Sequence, residues 1–70
     1  MKTLIYQHKK SGSIVRIFLM PIGEIIEGVI LQNPNNDINS RIGRKVFVRR
    51  YDINKFYEPL NKNEILRLNL

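Results

Sequence analysis

The chain has no cysteine, no alanine and a single histidine, His8. Without cysteine there is neither a disulfide framework nor a Cys-containing zinc site to support a small core. One histidine alone cannot build an ordinary zinc site, and it leaves no Ser–His or Cys–His pair for nucleophilic catalysis. The glycines number four and form no G-x-G-x-x-G or P-loop pattern, so no phosphate-cradling loop is encoded. Glu24 and Glu27 are the one close pair of carboxylates, and a spacing of three on a strand puts them on opposite faces. These absences together predict a protein that is not an enzyme and needs no metal or cofactor.

Long hydrophobic runs are also missing. The N-terminus has too few consecutive apolar residues for a signal-peptide core, and no stretch approaches the ~20 needed to span a bilayer. With no cysteine, a reducing compartment fits, and the sequence is read as cytoplasmic and not membrane-bound.

What is present favours strands. Eleven isoleucines and four valines stand against the missing alanine. β-branched side chains suit a pleated surface and lose rotamer freedom in a helix. At 70 residues the chain makes one domain, residues 1–70, that buries only about 60% of its unfolded surface. Self-association is one route by which such a small core gains support.

Strands are predicted at residues 3–8, 14–20, 24–31 and 44–51. Lys9, Lys10, Ser11, Gly12 and Ser13 form a hairpin turn between the first two. Gly28 interrupts the third, which predicts a sharp bend or bulge there. Residues 32–43 are a long, Asn-rich connection, of the kind that is either functional or disordered. Asp52 is placed to cap a single helical turn ending near Phe56. Leu66, Leu68 and Leu70 share the period of a strand, so residues 65–70 are read as the last strand; a short helix capped by Asn61 or Asn63 is the competing reading. The sum is an all-β fold: a small, five-stranded, strongly bent antiparallel barrel of the Src-homology-3-like kind, with one short helical turn before the last strand. The likeness is architectural, and such folds host many unrelated functions.

Charge is unevenly distributed. The net charge is +6, yet residues 24–40 hold three acids and no base, while residues 41–50 hold five bases and no acid. Clustered cations attract polyanions and release their condensed counterions. In residues 44–51, alternation sends Val46 and Val48 one way and Lys45, Phe47, Arg49 and Tyr51 the other. If the second set faces outward, two cations interleave with two aromatics, which suits phosphates and stacked bases. The rival arrangement buries Phe47 in the barrel. Arg41 and Arg44 extend the basic segment, and Lys9 and Lys10 place two more cations beside exposed backbone N–H groups and hydroxyls.

The resulting expectation is a nucleic-acid-binding barrel for single strands or structured RNA, with low sequence specificity, using Lys9, Lys10, Arg41, Arg44, Lys45, Phe47, Arg49 and Tyr51. Two alternatives stand beside it. One is a regulatory accessory module that docks on an acidic protein, and the other is a homo-oligomer that holds an anionic nucleotide between subunits.

Overall fold

The computed structural model describes residues 2–70. Five strands, β1 (Lys2–His8), β2 (Ile14–Leu19), β3 (Ile25–Gln32), β4 (Lys45–Arg49) and β5 (Tyr57–Pro59), form one sheet in the order β4-β3-β2-β1-β5. Every neighbouring pair is antiparallel. The chain is mainly β, and the sheet curls into a half-barrel with a short helical turn before its last strand, as expected from the sequence. That turn consists of a 3-10 segment, Arg50–Asp52, followed by α1 (Ile53–Phe56). Asp52 occupies the position ahead of α1, although its side chain makes no capping hydrogen bond.

Alternation in the strands sorts the side chains into two faces. Tyr6, Val15, Ile17, Ile26 and Ile30 point into the concave side, where Ile53 of α1 and Tyr57 of β5 complete a buried cluster. Leu4, Leu19, Val46 and Val48 pack against it. Each fully buried Ile or Val contributes about 1.5–3 kcal/mol by leaving water, so these few residues carry most of the driving force.

The bulge lies elsewhere than Gly28. Ile14 pairs with Gln32 but Val15 pairs with Ile30, so Leu31 is the extra residue of a β-bulge in β3. Gly28 stays in register opposite Ile17 and Val46. Its role is close approach: a Cβ there would lie 2.8 Å from Ile17 Cδ1, 2.9 Å from the Arg16 carbonyl oxygen and 3.2 Å from Val46 Cγ2.

A second correction concerns the C-terminus. The final strand is Tyr57–Pro59, and the segment read as the last strand holds no strand: its first half belongs to a helix, α2 (Lys62–Arg67), and the rest is turn and coil. Asn61 accepts a hydrogen bond from Glu64 N at 2.9 Å while Glu64 Oε1 accepts from Asn61 N at 3.3 Å. This capping box starts the helix and overrides the alternating leucines. Gln32 Nε2 donates to the Leu68 carbonyl at 3.2 Å, which holds the end of α2 beside the convex face. There Ile14, the strand partner of Gln32, is 2% exposed although its neighbours in alternation, Arg16 and Phe18, are not buried.

The long connection between β3 and β4 is organised by its own side chains. Asn33 Nδ2 donates to the Asp37 carbonyl at 2.8 Å and Asn33 Oδ1 accepts from Asp37 N at 3.0 Å. Asn35 Nδ2 reaches the Ser11 carbonyl at 3.0 Å, joining the loop to the β1–β2 turn. In that turn Gly12 has a φ of 78°, and His8 Nδ1 accepts from the N–H groups of Lys10 and Ser11 at 3.2 and 3.1 Å.

Candidate functional site

Strand β4 is one end of the sheet, paired with β3 alone. Ile30 N donates to the Arg44 carbonyl and Arg50 N to the Glu24 carbonyl. Antiparallel pairs alternate between bonded and non-bonded positions, so Val46 and Val48 also face β3 through their backbone groups. The N–H and C=O groups of Lys45, Phe47 and Arg49 therefore point to the free edge. Their side chains stand on the convex face, away from the core.

This resolves the orientation of the strand. Val46 and Val48 are half-buried against the core, while Phe47 is 65% exposed and Tyr51 73% exposed. Lys45 and Arg49 flank Phe47, each about 7 Å from it along the strand, and both are exposed. Arg49 Nη1 donates to Tyr51 Oη at 2.8 Å, so the guanidinium and the second ring are held together. Lys45 Nζ lies 3.6 Å from Glu27 Oε1 on the neighbouring strand.

The cations of the preceding loop sit at the N-terminal end of β4. Arg41 and Arg44 line one shallow concavity with Ile38 and Ile42, and Arg44, Lys45 and Phe47 line a second with Asn39 and Tyr57. Arg44 Nη1 donates to the Asn39 carbonyl at 3.2 Å. Arg41, Arg44, Lys45, Phe47, Arg49 and Tyr51 thus follow the line of β4 from the loop to the 3-10 segment. Lys9 and Lys10 occupy the β1–β2 turn, where Lys9 Nζ donates to the Asn54 carbonyl at 2.7 Å.

Arg50, by contrast, is a structural cation. Its Nε donates to the Gly23 carbonyl at 2.8 Å and its Nη2 to the Met20 carbonyl, which pins the β2–β3 turn to the end of β4.

The register also exposes convex-face residues that the linear pattern does not single out. Phe18, Glu27 and Phe47 form one cross-strand row, and Arg16, Val29 and Lys45 the next. Beside the first row Phe18, Met20, Ile25 and Glu27 line an open, mainly apolar groove. The signal is alternation in β2 and β3, masked because Ile25, Val29 and Phe18 look like core residues in a one-dimensional pattern.

A smaller polar pocket opens on the concave side, where His8, Ser13, Ser40 and Tyr57 meet. The His8 ring meets Tyr57 edge-on, with centroids 4.9 Å apart. Burial raises the Tyr57 hydroxyl above its ordinary pKa. No cluster of three or more His, Cys, Asp or Glu side chains suited to a metal ion exists among the described residues. No helix among them is long and apolar enough to cross a membrane. Comparison with protein families, curated proteins and solved structures finds no match for this chain.

Proposed function

We propose that this protein is a small, non-catalytic, cytoplasmic nucleic-acid-binding module that takes single strands, or unpaired segments of structured RNA, along β4. The observation that carries this reading is the outward set Lys45, Phe47, Arg49 and Tyr51. Its two rings, 65% and 73% exposed, alternate with two exposed cations along one strand, which is the arrangement that single-strand binding uses. Aromatic rings stack on any base with about 1–3 kcal/mol each, and flanking cations track the phosphates, so the set favours affinity over sequence discrimination. Arg41 and Arg44 extend the track. The antiparallel order β4-β3-β2-β1-β5, with a helical turn ahead of β5, supports placing the half-barrel among small barrels of the Src-homology-3-like kind.

The test is fluorescence anisotropy with labelled oligonucleotides over a range of salt, using the native chain and the double variant Lys45→Glu/Arg49→Glu. Measurable binding at low ionic strength, abolished in the double variant, is expected. No binding to RNA or DNA at low ionic strength overturns the reading, and unchanged affinity in the double variant removes β4 from it.

The free edge of β4 favours one other reading, a module that docks an acidic protein segment by strand addition. Recovery of a single protein partner from nuclease-treated extract, absent with the same double variant, is the result that distinguishes it.

A further inference from the structure

On the convex face Glu27 is an acid set beside the cations of β4. Glu27 stands between Phe18 and Phe47 in the cross-strand row, and its side chain is 44% exposed. A carboxylate repels phosphate, so the backbone of a bound strand passes beside this point. Lys45 Nζ approaches Oε1 at 3.6 Å, and a carboxylate has about four lone-pair sites over its two oxygens, so acceptor capacity remains. The ion pair accounts for Lys45. It does not account for the apolar groove that Phe18, Met20 and Ile25 form with Glu27 in its wall. Met20 is 42% exposed and Ile25 53% exposed, so that surface is open to a flat, apolar ligand.

We propose that the groove lined by Phe18, Met20, Ile25 and Glu27 is a nucleobase subsite that selects guanine, and this proposal rests on the nucleic-acid reading above. Unpaired bases are read on their Watson–Crick edges while their faces stack on side chains. Guanine alone offers two adjacent donors on that edge, N1–H and N2–H, which match the two oxygens of a carboxylate. Adenine and cytosine each pair one amino donor with a ring acceptor that the carboxylate repels. Uracil sets its one N–H between two carbonyl oxygens. Phe18 and Ile25 supply the apolar surface for the purine face, and the polarisable thioether of Met20 adapts to it. Phe47, across Glu27 in the same row, is then placed to stack a neighbouring base. The strand is thereby bound without preference along β4 and read at one position.

The experiment measures binding of the native protein to a short oligouridylate in which one central nucleotide is guanosine, inosine, adenosine or uridine. The same series is run with Glu27→Gln. A bidentate interaction of this kind is worth about tenfold in affinity, so guanosine is expected to bind about tenfold more tightly than uridine. Inosine, which lacks the N2 amino group, is expected to lose most of that advantage without any change to the protein. In Glu27→Gln the affinity for the uridine and adenosine oligonucleotides rises as an acid is removed, the guanosine oligonucleotide loses its extra bond, and the guanosine-to-uridine ratio falls towards unity. Equal binding of all four oligonucleotides overturns the subsite and leaves the nucleic-acid reading intact. A guanosine preference that inosine retains, or that survives in Glu27→Gln, also overturns it. Failure to bind any of them overturns both.

Discussion

Arg50 Nε donates to the carbonyl of Gly23 at 2.8 Å, across 27 residues of sequence. The same guanidinium reaches the Met20 carbonyl, so one planar fork closes the turn between β2 and β3. A charged donor to a carbonyl contributes about 1.5 kcal/mol or more when shielded, and less where water competes. Arg50→Ala is expected to lower stability by about 1 kcal/mol in urea unfolding. Arg50→Lys should restore little of it, because an ammonium cannot reproduce the fork. A variant as stable as the native protein would show that the turn holds itself.

The cations and rings of β4 should separate in their salt response. Replacing Lys45 or Arg49 by Ala is expected to reduce the slope of log affinity against log salt by about 0.7 for each phosphate no longer neutralised. Phe47→Ala and Tyr51→Ala should weaken binding by about 1–3 kcal/mol each with the slope unchanged. Titrations at several salt concentrations read both quantities. If the aromatic variants bind like the native chain, the rings take no part.

Gly28→Ala places a methyl group within 2.9 Å of the Arg16 carbonyl oxygen, a backbone atom that cannot swing aside. The strands β2 and β3 must then part slightly, at a cost of about 1–3 kcal/mol. A lower thermal midpoint with unchanged secondary structure is the expected result. An unchanged midpoint would mean that the sheet relaxes there freely.

Tyr57 gives stability a dependence on alkaline pH. Burial raises its pKa in the folded protein, so the folded state holds the phenolic proton more tightly than the unfolded chain does. This contribution is complete below the unfolded value of about 10 and is lost as pH rises from there through the higher folded value. Tyr57→Phe has no proton to lose. Its urea midpoint is expected to fall less steeply than that of the native protein above about pH 10. Identical alkaline limbs would remove Tyr57 as the cause.

The sequence reveals the extent of β4 through its alternation, but not which of its faces is buried. The structure decides that by turning Val46 and Val48 towards the core and leaving Phe47 65% exposed. The C-terminal helix is harder. Leu66, Leu68 and Leu70 satisfy a two-residue period, and what decides the segment is the reciprocal pairing of Asn61 with Glu64, a local signal of four residues. Strand β5 is not legible at all. It is three residues long, contains Pro59, and exists through its pairing with β1, which lies some fifty residues earlier. The bulge escapes for a similar reason: Gly28 marks a place where backbones meet closely, while the inserted residue, Leu31, has no compositional signature. The groove beside Glu27 needs the register of β2 against β3, which no linear pattern contains.

An unpaired border such as that of β4 is where small β proteins fuse into aggregates. Two copies meeting there in antiparallel fashion, centred on Phe47, would set Lys45 of each against Arg49 of the other. Like charges directly opposite are destabilising, so Lys45 and Arg49 oppose such a pairing of identical molecules. Solutions of this protein should accordingly stay clear at low ionic strength and grow sticky as salt screens that repulsion.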